Sequence, residues 1–327
     1  MVKIVGDIYG ADAGAEIVVR GVAKALKKNI DFFPVLVGEK TLIDELLAKE
    51  GISKDLYETV DTNKFITNND PPTCVFGCCD DTSLVMAYKR LKSDEDCAAM
   101  LSAGNTGAML VGSICRLGLL QGLKFPALCS ALPCNGENLL ILVDCGANVD
   151  CTANDLVRFA KMGDVFSRCY CKIESPRVGL MSVGREPQKG NALTREAFEK
   201  ISELPINFIG NVEGSDMVTG YADVFVAEGF SGNILLKNTE AVGKAAAAIV
   251  ERLGCEADSE LVQKIKRELF KTFDFNAQGA ATFLGPQKTV VKMHGCANED
   301  TTVASIEQIL RLEAANFRTA IKKAMEK

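Results

Sequence analysis

At 327 residues, with 47% hydrophobic and 24% charged positions, the chain has the make-up of a globular protein with room for a substantial core. Its formal net charge of -6 argues against a nucleic-acid binder, which needs a basic surface to neutralise phosphates. No window approaches the roughly 18 consecutive apolar residues of a spanning helix. The opening Met1-Val2-Lys3-Ile4-Val5 carries no apolar signal region, so a cytoplasmic chain is expected. Thirteen cysteines are present without a CxxC pair. Many, such as Cys97, Cys115, Cys129 and Cys145, sit in core-like runs, and Cys74, Cys78 and Cys79 lack zinc-site spacing. Reduced thiols and no metal site are therefore expected.

Along the chain, short apolar runs alternate with longer amphipathic stretches, as in βα units around a largely parallel sheet. Strands are predicted at residues 2–5, 33–37, 98–102, 139–143, 178–183, 207–210, 223–226 and 290–293. Helices are predicted at 15–27, 42–49, 83–92, 106–119, 155–170, 195–201 and 233–253. Between 245 and 273 two helical stretches, broken at Gly254-Cys255, form an excursion from the sheet, and a final helix covers about 302–325. No linker or repeat marks a boundary, so the chain is read as one α/β domain over 1–327.

Several strands run into glycine-containing turns, where open α/β sheets gather their ligands. The sharpest is Ser102-Ala103-Gly104-Asn105-Thr106-Gly107, between a strand and a helix. Its N–H groups and helix dipole suit an anion, and Ser102, Asn105 and Thr106 add side-chain donors. It lacks the Walker lysine and the GxGxxG spacing, so a nucleotide is not indicated; a plain tight turn is the bland alternative. Asp144-Cys145-Gly146-Ala147-Asn148-Val149-Asp150 follows another strand, where Asn148 and Asp150 could orient catalytic groups or simply cap a helix. Lys189, before Gly190, could reach a phosphate or a developing oxyanion. Glu228-Gly229-Phe230-Ser231-Gly232-Asn233 is a further strand–helix turn with small donors. The chain's one histidine, His294, stands after a strand beside Gly295.

Taken in order, these segments, with Pro176-Arg177-Val178-Gly179-Leu180 and the run at 207–213, resemble the PlsX family of phosphate acyltransferases over nearly the whole chain. That resemblance implies a Rossmann-like αβα sandwich similar to isopropylmalate dehydrogenase and phosphotransacetylase. It implies transfer of a fatty acyl group from acyl carrier protein to inorganic phosphate for phospholipid synthesis. A homodimer is implied, with no metal or nucleotide cofactor. Peripheral contact with the inner face of a membrane through the excursion, and a downstream glycerol-3-phosphate acyltransferase, are implied too. Asp7 and Asp12 match the family's N-terminal motif and join the binding candidates. The 102–107 turn (Ser102, Gly104, Asn105, Thr106, Gly107) is expected to hold phosphate together with Ser231, Gly232 and Asn233. Lys189 is expected to stabilise the oxyanion or carry the acyl group transiently, and His294 to protonate the leaving thiolate. The chain departs from the family in having Gly77-Cys78-Cys79-Asp80 where a basic run is expected, and Phe125 where an arginine is. Alternatives are a phosphotransacetylase-like enzyme, a relative of glycine reductase protein C with Cys296 as acyl carrier, or a non-catalytic paralogue binding acyl carrier protein.

Overall fold

A computed structural model describes residues 1–77, 79–134, 138–254, 260–273 and 279–326. They fall into two compact units: Met1–Pro126 with Gly279–Lys327, and Ala127–Gln278. The first unit opens with β1 (Val2–Asp7), α1 (Glu16–Lys27), β2 (Phe32–Gly38), α2 (Lys40–Lys49) and β3 (Glu58–Asp61). It continues through α3 (Ser83–Ser93), β4 (Cys97–Ser102) and α4 (Thr106–Gly112). The second unit carries β5 (Ala127–Cys134), β6 (Asn138–Val143), α5 (Ala153–Tyr170), β7 (Val178–Met181) and α6 (Ala192–Ser202). After these come β8 (Phe208–Val212), β9 (Val224–Val226), α7 (Gly229–Gly254) and α8 (Glu260–Phe273). The chain then re-enters the first unit with β10 (Ala281–Leu284), β11 (Thr289–Lys292), α9 (Glu299–Ala314) and α10 (Phe317–Met325).

In the first unit the strands lie in the order β3-β2-β1-β4-β11-β10. All neighbours are parallel except β10 and β11. Alternate apolar residues on the strands meet amphipathic helices. Ile4, Leu36, Leu101 and Val291 pack with Val18 and Val22 of α1, Leu47 of α2, and Ile306 and Ile309 of α9. Glu16 in the first turn of α1 and Lys24 and Lys27 in its last agree with the helix dipole. Because β1 lies between β2 and β4, the connections diverge there, and the carboxyl ends of β1 and β4 flank a topological switch point.

In the second unit the order is β5-β6-β9-β7-β8, parallel except for β5 and β6. Its core sets Ile141, Val143, Val224 and Val226 of the sheet against α5, whose Gly163 lies close to Val143 and Val224 and whose Leu156, Phe159 and Phe166 are buried. The α/β class and most helices match the sequence expectation. Three differences have local causes. The strand β3, Glu58-Thr59-Val60-Asp61, is an edge strand with too little apolar character to stand out. The two antiparallel pairs arise from β5 and β10, neither of which the apolar pattern revealed. The terminal helix is two, because Asn316 adopts the left-handed conformation between α9 and α10. The helix break expected at Gly254-Cys255 runs into residues 255–259, which, like Cys78, lie outside the described residues.

Gln308, buried on α9, ties that helix to the start of β10. Its Nε2 donates to the Ala280 carbonyl and to Thr282 Oγ1, each at 2.9 Å, and its Oε1 accepts the Ala280 N–H at 2.9 Å. Gln308→Met preserves the volume but strands these groups. Equilibrium urea unfolding is expected to show a loss of about 1–3 kcal/mol, the cost of an unmatched buried polar group; an unchanged midpoint would contradict it.

Candidate functional site

The first unit gathers its candidates at the switch point. Asp7 ends β1 with its carboxylate buried. Ser102, ending β4, donates its hydroxyl to Asp7 Oδ2 at 2.7 Å and accepts the Gly104 N–H at 2.9 Å. The Tyr9 N–H donates to the other carboxylate oxygen at 3.3 Å. Burial pushes the Asp7 carboxyl up from 3.8 to about 6, against the hydrogen bonds that favour its anion. Gly10, at φ +98°, lies so close to the turn that a Cβ there would sit 2.4 Å from the Gly104 backbone. Only glycine fits this approach.

Asn105 is consumed at both ends of its amide. Its Oδ1 accepts the Ala108 N–H at 3.0 Å, capping α4. Its Nδ2 donates to the carbonyls of Thr67, Asn68 and Asp70 at 3.3, 3.4 and 3.5 Å, which holds that segment against the turn. Thr106 is exposed at the mouth of the turn, while the backbone at Gly107 is close-packed, a Cβ there falling 2.6 Å from Pro72.

The 292–296 segment joins the same place. The Met293 N–H donates to the Ser102 carbonyl at 2.9 Å, and the Asp12 N–H to the Gly295 carbonyl at 2.7 Å. His294 Nδ1 accepts the Cys296 N–H at 3.2 Å and lies 3.0 Å from Cys296 Sγ. Asp12 is exposed, its carboxylate beside Gly295. Sequence reading missed Lys292, whose ammonium donates to the Ala103 carbonyl at 3.2 Å and to the Met293 carbonyl. Its place in Lys292-Met293-His294-Gly295 was the available signal.

In the second unit the organising group is Asp144, buried directly after β6. Its Oδ1 accepts the N–H groups of Leu128, Gly146 and Ala147 at 3.1, 3.0 and 3.0 Å. Its Oδ2 accepts the backbone N–H and the side-chain amide of Asn148, both at 2.7 Å. Burial nevertheless raises the Asp144 carboxyl above its ordinary value. The Asn148 carbonyl takes the Gly229 N–H at 2.7 Å. At Gly232 a Cβ would lie 1.9 Å from the Asp144 carbonyl oxygen, so the first turn of α7 packs directly on the 144–148 turn. Asn233 stands exposed beside Gly146. Ser231 is engaged by Glu228, which accepts its N–H at 3.0 Å and its hydroxyl. Glu228 thereby caps α7, and the helix starts at Gly229 rather than at 233.

Lys189 and Asp150 are exposed, and their side chains hydrogen-bond to none of the other candidates among the described residues. The Lys189 N–H donates to the Glu186 carbonyl at 3.0 Å, and its stem lies over Gly184. Ser102, Gly104, Asn105, Asp7 and the His294 segment are thus joined in one unit. Asn148, Ser231, Gly232 and Asn233 are joined in the other. Among the described residues no cluster of three or more His, Cys, Asp or Glu could hold a metal.

The raised Asp7 carboxyl has a pH signature. A buried acid that titrates near 6 rather than 3.8 favours the fold while it is protonated, and that contribution is lost as the pH rises from about 4 through 6. The full difference is on the order of 3 kcal/mol. Asp7→Asn keeps the shape without the charge. It is expected to match the wild type near pH 4 and to unfold at higher denaturant than it at pH 8. Parallel denaturation curves with no pH-dependent gap would refute the assignment.

Comparison with known proteins places this geometry in context. Residues 2–320 match the family described as "Fatty acid synthesis protein". A phosphate acyltransferase of Clostridioides difficile is 34% identical over 94% of this chain and 91% of its own length. One from Bacillus cereus is 34% identical over 99% of this chain and 98% of its own. Among solved structures, a phosphotransacetylase from Streptococcus pyogenes shares the fold at a TM-score of 0.64 and 18% identity, covering 100% of this chain and 94% of that one. A branched-chain phosphotransacylase from Enterococcus faecalis does so at 0.62 and 12% identity, covering 95% and 98%. The chain therefore belongs to the fatty acid synthesis protein family, the PlsX family to which its glycine-rich turns pointed.

Proposed function

We propose that the chain is a phosphate acyltransferase that moves a fatty acyl group from acyl carrier protein to inorganic phosphate, giving acyl phosphate for phospholipid synthesis. The observation that carries this reading is the 102–107 turn at the β1–β4 switch point, with His294 on the adjoining strand end, in a chain 34% identical to phosphate acyltransferases. The turn supplies backbone donors where an anion needs them. A phosphate oxygen attacks the thioester carbonyl, a tetrahedral oxyanion forms, and the carrier thiolate leaves. Phosphate is an adequate nucleophile at neutral pH, so positioning it can account for several kcal/mol of the barrier without a strong base. In His294, Nδ1 accepts the Cys296 N–H, which leaves the ring proton on Nε2 for the departing thiolate.

The resemblance alone supports the other roles. Lys189 stabilises the oxyanion or carries the acyl group transiently, Asn148 and Asp150 orient the reacting groups, and Ser231, Gly232 and Asn233 contribute to phosphate binding with Asp7 and Asp12. It also supports a cytoplasmic homodimer and a downstream glycerol-3-phosphate acyltransferase as consumer of the product. Phe230, Ile234, Val242, Ile249 and Leu253 on α7 are exposed apolar residues that a dimer partner could cover. No helix among the described residues is long and apolar enough to cross a membrane. The resemblance supports peripheral contact with the inner membrane face through α7 and α8.

Phosphate-dependent release of free thiol from acyl–acyl carrier protein tests the reading. Release from acetyl-coenzyme A instead would indicate a phosphotransacetylase-like enzyme, and release from neither a non-catalytic paralogue. In the same assay Lys189→Ala is expected to lower turnover by roughly 10²-fold, as for the loss of one oxyanion donor. Because Lys189 is exposed, its melting temperature should barely move. Wild-type turnover in this variant removes Lys189 from the mechanism.

A further inference from the structure

We propose that Cys296 and His294 form a thiol–imidazole couple that makes Cys296 the site of selective modification by soft electrophiles and peroxides, and that this modification silences acyl transfer. The silencing rests on the function proposed above; the selectivity does not. Two independent features of the fold meet here, accessibility and a base.

Among the described cysteines Cys296 alone is exposed. The others are withdrawn from solvent to differing degrees, and burial works against ionisation at many of them. It pushes the Cys145 and Cys151 thiols up to about 12 and raises those of Cys97, Cys115, Cys129, Cys134 and Cys169. Such thiols offer little thiolate, which is the reactive form. Cys296 is accessible, and its Sγ lies 3.0 Å from His294 Nδ1. The orientation of the ring is fixed, because the Cys296 N–H donates to that same nitrogen. Nδ1 is therefore an acceptor facing the thiol, placed to take the S–H proton as sulfur attacks. Neighbouring contacts hold the segment in register, with Gly295 accepting from Asp12 and Met293 donating to Ser102.

With hydrogen peroxide the step balances as a two-electron exchange. The S–H proton passes to Nδ1, sulfur attacks one peroxide oxygen, and the O–O bond breaks. The departing hydroxide takes the proton back from the imidazolium, giving a sulfenic acid and water. With a maleimide, sulfur adds to the activated double bond and the proton ends on the adjacent carbon. Either product enlarges or oxidises the sulfur beside Nδ1 and disturbs the ring that the proposed reaction uses as its proton donor.

Substoichiometric N-ethylmaleimide on the full-length native protein, followed by peptide mass spectrometry, tests the selectivity. Cys296 is expected to label at least about tenfold faster than any other cysteine, and His294→Asn to slow that labelling several-fold. First labelling at another position, Cys78 and Cys255 included, or an unchanged rate in His294→Asn, overturns the couple. In the acyl-transfer assay, peroxide is expected to inactivate the wild type while Cys296→Ser, which keeps a small hydrogen-bonding side chain, retains most turnover and resists. Equal inactivation of both proteins overturns the switch. A wild type without acyl transfer on any thioester would instead mark the failure of the functional reading, with the labelling result standing by itself.

Discussion

A carboxylate taken out of water must be met by donors, and each unit of this protein is arranged around one such group at a strand end. Asp144 is the fuller case, with four backbone N–H groups and one side-chain amide converging on its two oxygens. These bonds fold the 144–148 turn around the carboxylate, and Gly229 and Gly232 let α7 begin in contact with it. Asp7 is the leaner case. The hydroxyl of Ser102 and the Tyr9 N–H are its geometrically clear donors, and its carboxyl is pushed up to about 6. The difference fits their settings. Asp144 braces a turn from within, whereas Asp7 lies behind the 102–107 turn, whose outer face carries the exposed Thr106.

That outer face is shaped by groups that do not point into it. Ser102 faces inward to Asp7, and Asn105 divides its amide between α4 and the 67–70 segment. Lys292 spends hydrogen bonds on the Ala103 and Met293 carbonyls. In each case a polar side chain fixes the backbone of the turn, the Gly104 and Ala108 N–H groups being bonded to Ser102 and Asn105, while Thr106 stands exposed at its mouth. Donors held before a ligand arrives need not reorganise at the moment of reaction.

What could be read from the sequence follows from how local each signal is. Glycine and polar residues just after an apolar run are local, so the turns at 102–107, 144–150, 228–233 and 294–296 stand out in the sequence. The partner of Ser102 is 95 residues away, and nothing in either segment announces the pair. Gln308 and its anchor at Ala280, 28 residues apart, are hidden for the same reason. Among the strands, β5 reads Ala127-Leu128-Cys129-Ser130-Ala131-Leu132-Pro133-Cys134, with small residues and a proline in place of a β-branched alternation. Sheet neighbours decide its state. Asn316 carried no glycine or proline to warn that the last helix breaks there.

The missing basic run near residues 77–81 has a structural counterpart. Arg116 donates to the Val75 carbonyl at 2.9 Å and pairs with Asp80 at 2.6 Å. Lys89 reaches the same carboxylate at 3.1 Å, and Lys64 pairs with Asp81 at 2.5 Å. Cations are thus present around this segment, but Asp80 and Asp81 neutralise them locally. Exposed ion pairs of this kind add little stability, and at distances beyond about 10 Å their fields largely cancel. With a net charge of -6 and these cations so paired, the chain projects little long-range positive field from this segment. The positive potential of the 102–107 turn is short-ranged, coming from oriented backbone dipoles that act within hydrogen-bonding distance. A potential built this way depends on the shape of the turn more than on ionic strength, and the bonds of Ser102, Asn105 and Lys292 hold that shape.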